Sequence, residues 1–195
     1  MNRIILLLLS LMLLIACNTK KESKPAVPAA NFFVNDYIKG QVARLDTALF
    51  SFIKIETMDG RSDSMPIKNS DVRFYASDFL KLPDLAAAAI KDDYEVSHLY
   101  DELQNAFIFT YTTKENHPVR EQHLTVEPEI SPEGKSNIRS VYIDYWDSKG
   151  DTAIRKNMMW QANSFYITTT TEAPGQLQKI KTVKIIWNAF ESQNK

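Results

Sequence analysis

Ile138-Arg139-Ser140-Val141-Tyr142-Ile143-Asp144-Tyr145-Trp146 is rich in β-branched and aromatic residues, and Asp147-Ser148-Lys149-Gly150 closes the run with turn formers. Side chains on a strand alternate between two faces. Val141, Ile143 and Tyr145 therefore share one face, and Tyr142, Asp144 and Trp146 share the other. The turn returns the chain into a strand from Thr152 to Gln161. Ser164 to Thr171 makes the next, Ala173-Pro174-Gly175 turns it, and Leu177 to Trp187 makes the last. Upstream, Phe107 to Thr112 and Glu121 to Glu127 have the same character, with Pro128, Pro132 and Gly134 predicting a loop after them. Links this short make neighbouring strands antiparallel. Residues 106–188 are predicted to form a β-meander.

The N-terminal half changes period. Val34, Ile38, Val42, Leu45 and Leu49 draw one apolar stripe at helical spacing, which predicts a helix from about Asn31 to Ala48. Ser51 to Met58 then alternates, Asp59-Gly60 signals a turn, and Ser64 to Ile67 is a returning strand that Pro66 confines to an edge. Asn69, Ser70 or Asp71 would cap a second helix through about Leu80. Pro83 would start a third across Asp84 to Ile90, with helical character running on unevenly towards Leu103. The expected fold class is therefore α+β, with N-terminal helices packed on a meandering, mostly antiparallel sheet. Residues 31–195 read as a single globular domain, with 31–90 as its helix-hairpin-helix part.

The chain has 195 residues, a formal net charge of −1 and one cysteine, Cys17. That charge balance gives no basic excess for a nucleic-acid partner. The region after Cys17 has no cysteine, so it is held by packing alone.

Arg3 precedes an apolar run from Ile4 to Ile15, which is shorter than the roughly 20 residues a membrane-spanning helix needs. The run ends at Leu14-Ile15-Ala16-Cys17, which resembles the lipobox of bacterial lipoproteins. The resemblance implies cleavage before Cys17 and lipid on its thiol. It makes 1–16 a signal peptide and 17–30 a lipidated, disordered tether. Cys17 would then be the contact with the membrane. Asn18 follows it where an aspartate commonly retains such proteins at the inner membrane, so the outer membrane of a Gram-negative envelope is the implied place. Stable attachment needs more than one acyl chain at about 0.8 kcal/mol per buried CH₂.

No motif after Cys17 specifies a reaction. His98, His117 and His123 match no metal signature, and neither Gly-x-Ser-x-Gly nor a phosphate-binding glycine loop occurs. No cofactor or metal is implied. Asp92, Asp93, Glu95, Asp101 and Glu102 read as a solvated acidic helix face. Lys179, Lys181 and Lys184, with Arg155 and Lys156 beside them if the strands pair, would make a basic patch towards anionic headgroups or glycans. Their alternation splits them between faces, however, and they read as protection of strand edges. The aromatics are the exception. Tyr142, Trp146, Trp160 and Trp187 are candidate ligand-binding residues, either lining an apolar cavity or stacking on a sugar ring. The competing account is a core between sheet and helices. The sequence thus favours an envelope lipoprotein that binds an apolar or glycan ligand, or an envelope protein. A small enzyme acting on glycan or peptide, with Asp144 or Asp101 as its carboxylate, and a structural assembly subunit are the alternatives.

Overall fold

The computed structural model describes residues 27–28, 32–130 and 136–188. Residues 1–26, 29–31, 131–135 and 189–195 lie outside them, and with them the expected signal peptide, Cys17 and most of the expected tether. Within them the chain forms α1 (Val34–Asp46), the hairpin β1 (Phe52–Met58) and β2 (Arg61–Ile67), and two one-turn helices, α2 (Val72–Tyr75) and α3 (Ser77–Leu80). Seven further strands follow: β3 (Tyr94–Asp101), β4 (Ala106–Thr113), β5 (Val119–Ile130), β6 (Ser136–Lys149), β7 (Thr152–Gln161), β8 (Ser164–Glu172) and β9 (Lys179–Trp187).

All nine strands belong to one open sheet in the order β2-β1-β9-β8-β7-β6-β5-β4-β3, and every described pairing is antiparallel. The β1–β2 hairpin is laid along β9, so residues 31–90 share a sheet with the meander. Strands make up 54% of the described residues and helices 18%, so the architecture is strand-dominated and the α+β description holds only in its coarse sense.

The expected third helix does not form. Asp84 to Ile90 is a string of turns closed by short-range hydrogen bonds such as Ala87 N–H to Asp84 O (3.0 Å), and the chain then enters β3. Alanine-rich sequence has helix propensity but little apolar surface to bury, and propensity yields to tertiary context. Asp92 and Asp93 lie in a single 3₁₀ turn and Glu95 and Asp101 on an edge strand, so no acidic helix face exists there. The second helix is likewise broken, into a 3₁₀ turn followed by α2 and α3. Pro128, expected in a loop, lies within β5 where the β5–β6 register shifts, and an irregular ladder tolerates a residue with no N–H.

One face of the sheet carries the core. Val141 and Ile143 of β6, Met158 and Trp160 of β7, Phe165 of β8 and Ile185 of β9 are buried there. The apolar stripe of α1, Val34, Ile38, Val42 and Leu45, is buried above them. Phe79 of α3 meets Trp160 and Phe165 edge-on at 5.4 and 5.7 Å, and Trp160 stacks flat on Phe165 at 4.9 Å. Asn35 ties α1 to the loop after α3 by donating its side-chain amide to Leu82 O and its backbone N–H to Asp84. Aromatic rings in these arrangements add about 0.5–1.5 kcal/mol per pair beyond burial. The helices cover this face alone, which leaves the opposite face of β5–β8 to solvent.

Candidate functional site

The four aromatic candidates divide between the two faces. Trp160 and Trp187 point into the core, 1% and 4% exposed, with ring centroids 5.9 Å apart. Tyr142 and Trp146 point the other way, and Trp146 is 44% exposed. The parity of β6 and β7 produces this split: Val141 pairs with Trp160 on the inner face, and Trp146 pairs with Arg155 on the outer. Trp187 also borders a cleft of about 280 Å³ beside the end of α1, with Arg44 and Phe50. A smaller inner-face space beside the helices, about 70 Å³, is bridged by the Lys156–Asp78 ion pair at 2.8 Å.

On the outer face the residues around Tyr142 and Trp146 form a connected polar network. Its centre is Asp144, 8% exposed and one of three buried polar residues among those described, the others being Asn35 and Gln122. Arg155 donates Nε–H to Oδ1 at 2.9 Å and Nη2–H to Oδ2 at 3.1 Å. The indole Nε1–H of Trp146 donates to the same carboxylate at 3.1 and 3.2 Å. Asn157 donates its amide to Tyr142 Oη at 2.8 Å and to Asp144 Oδ1 at 3.3 Å. The Arg155 guanidinium lies 5.2 Å from the Trp146 ring centroid, a cation–π distance. His123 meets the Tyr142 ring edge-on at 5.5 Å, and its Nε2 lies 2.9 Å from Glu121 Oε1 but off hydrogen-bond alignment.

These positions follow from strand geometry. Residues 142, 144 and 146 recur at period two, and the tight connection between β6 and β7, with Gly150 at φ +60°, sets Trp146 opposite Arg155 and Asp144 opposite Asn157. The bidentate carboxylate pair raises the Arg155 pKa. Burial raises that of Tyr142, which keeps its hydroxyl protonated as a hydrogen-bonding group.

The carboxylate of Asp144 is saturated by donors, so it acts as a positioning group that fixes the Trp146 ring and the Arg155 fork. Nη1 has no hydrogen-bond partner among the described residues, and the Arg155 side chain is about half exposed. Asp101, the other carboxylate singled out in the sequence, is a turn residue: Oδ1 accepts the backbone N–H groups of Leu103 and Gln104 at 2.9 and 3.1 Å. His117 bonds Asp93 at 2.8 Å and stacks on Tyr94 at 5.6 Å, apart from His123. Among the described residues no group of three or more His, Cys, Asp and Glu could hold a metal ion, and no helix is long and apolar enough to cross a membrane.

Trp146 is shared by two shallow clefts. One, of about 200 Å³, is bordered by Arg155, Asn157, Thr170, Glu172 and Gln178. The other, of about 360 Å³, is bordered by Asn116, His117, Arg120, Asp147 and Ser148. Asn157 is not singled out by the sequence, and Arg155 enters it only as a neighbour of the lysine patch. Their signal was the hairpin register, which places both beside the Asp144–Trp146 face once the turn is known to span Gly150 and Asp151.

No protein-family model matches the chain, and neither a curated protein nor a solved structure does.

Proposed function

We propose that this chain is a lipid-anchored protein of the bacterial cell envelope that holds a ligand or partner on the uncovered face of its sheet. The anchor rests on the lipobox-like Leu14-Ile15-Ala16-Cys17, and Asn18 favours the outer membrane. Binding rests on one observation: an exposed tryptophan is fixed by a buried carboxylate that also fixes an arginine beside it. A large aromatic ring left at the surface contributes little to a core. Holding it in one orientation reduces the ordering cost on association. Tryptophan and arginine are also the residue types that carry most energy in recognition surfaces.

Two measurements test this. Cys17→Ser should move the protein from the membrane fraction to the soluble fraction, and intact mass should show lipid on residue 17 of the wild type. Oxidative footprinting should modify Trp146 readily in purified protein and much less in intact cells, with buried Trp160 and Trp187 unmodified in both. Equal oxidation of Trp146 in the two settings would overturn the binding role. An unlipidated Cys17 would overturn the anchor.

A further inference from the structure

We infer that the ligand of the Trp146 clefts is a carbohydrate chain. This rests on the binding role proposed for the same face and names the chemistry that the face recognises.

The lining around Trp146 is neither an apolar slot nor a cluster of like charges. In the smaller cleft a guanidinium (Arg155), two amides (Asn157 and Gln178), a hydroxyl (Thr170) and a carboxylate (Glu172) surround the indole. A sugar presents adjacent hydroxyls, each both donor and acceptor, around a ring whose C–H groups make a weakly apolar patch. Planar amide, guanidinium and carboxylate groups suit pairs of neighbouring hydroxyls. Here they are held in place by bonds among themselves, Gln178 donating to Glu172 and Asn157 and Arg155 to Asp144, with their remaining donors and acceptors left for a ligand. The indole supplies a flat surface for the C–H patch.

Other ligand classes fit less well. A lipid or other apolar ligand needs an enclosed apolar lining, and both clefts are open and half polar. A phosphate-rich ligand needs clustered cations, yet each cleft sets a carboxylate beside its arginine, Glu172 in one and Asp147 in the other. An extended peptide would add to a sheet edge, and Trp146 stands on the face of β6, between β5 and β7.

The second cleft continues on the far side of the same indole with Asn116, Arg120 and Ser148. Two hydrogen-bonding clefts sharing one aromatic platform suit a chain of sugar units better than a single residue. Arg120 has no carboxylate partner among the described residues, its guanidinium donating to the Asn116 amide oxygen at 2.5 Å. It is the group that would accept a uronate carboxylate.

The test titrates the full chain, purified from cells in detergent, with neutral and carboxylated polysaccharides and with their short oligosaccharides. Trp146 fluorescence and calorimetry are the readouts. Binding to either class is expected, weakened roughly tenfold or more by Trp146→Ala. Arg120→Gln should weaken only the carboxylated ligands. Thermal unfolding of each variant separates lost binding from lost fold, and Trp146→Phe keeps a platform and should bind nearly as wild type.

No binding to any polysaccharide, with Trp146 still shielded from oxidation in cells, would overturn the carbohydrate assignment and leave the binding face intact. Loss of that shielding as well would overturn both. Binding that Trp146→Ala leaves unchanged would also overturn the assignment.

Discussion

The Asp144–Arg155 pair yields a quantitative prediction. Asp144→Asn keeps the shape of the side chain but replaces one carboxylate oxygen with an amide that is itself a donor. Both oxygens accept from Arg155, at 2.9 and 3.1 Å, so at least one charge-assisted bond is lost whichever way the amide turns. Such a bond contributes about 1.5–3 kcal/mol. Breaking a fully buried ion pair costs about 3–5 kcal/mol because the stranded charge stays dry. Here the Arg155 side chain is 47% exposed and regains water, so the lower range applies. The expected loss is about 2 kcal/mol, equivalent to roughly 4–8 °C in Tm for a domain of this size. Urea unfolding of Asp144→Asn, Arg155→Gln and the double variant closes a thermodynamic cycle. A coupling energy of about 1–2 kcal/mol is expected. Coupling within about 0.5 kcal/mol of zero would show that the contact supplies no orienting energy and would remove the basis for a fixed Trp146.

The core and two phenols give further outcomes. Phe79→Ala deletes a fully buried ring that meets Trp160 and Phe165, and should cost about 3–5 kcal/mol in urea unfolding; a loss under about 1 kcal/mol would mean that α3 is not packed on β7 and β8. Burial raises the pKa values of Tyr94 and Tyr111 to about 12 from the usual value near 10. A phenol whose folded pKa is raised favours the folded state fully below the unfolded pKa, and that contribution fades as pH climbs through the folded value. Stability should therefore fall between about pH 10 and pH 12, with these phenols ionising as near-ultraviolet circular dichroism is lost. Phenolate absorbance accounting for all eight tyrosines while the native signal persists would refute it.

Strand content was largely legible. Thr152 to Gln161 is the observed extent of β7, because Gly150 and the pause at Ala162 and Asn163 mark both ends. The α1 stripe was legible except at its end: Val34, Ile38, Val42 and Leu45 are buried at helical spacing, whereas Leu49, expected to extend the stripe, lies beyond the helix and is exposed. The failures cluster at residues 69–103, where local preference and tertiary demand disagree. Ala86 to Ala89 favours a helix intrinsically, but only Leu85 nearby is deeply buried, and the open edge beside β4 draws Tyr94 to Asp101 into the sheet. The alternation of Tyr94, Val96, His98 and Tyr100 was the overlooked signal. At the site, the sequence placed Tyr142, Asp144 and Trp146 on one face but grouped them with Trp160 and Trp187. Facing across a hairpin depends on register, which shifts every side chain to the other face for each residue of slip.

The location of Asp144 separates a structural account of the network from a functional one. A buried ion pair adds little net stability compared with apolar residues of similar size. The outer faces of neighbouring β8 and β9 manage with threonine, as in the Thr168–Thr182 hydroxyl pair at 2.9 Å. Nothing in sheet formation requires four donors to converge on β6. Their effect is to present an indole and an arginine fork in one orientation on the uncovered face, near the β6–β7 turn and between two clefts rich in donors and acceptors. The core Trp160, packed on Phe79, Phe165 and Trp187, accounts for its own burial. Trp146 has no such account, and the proposed recognition role would supply one.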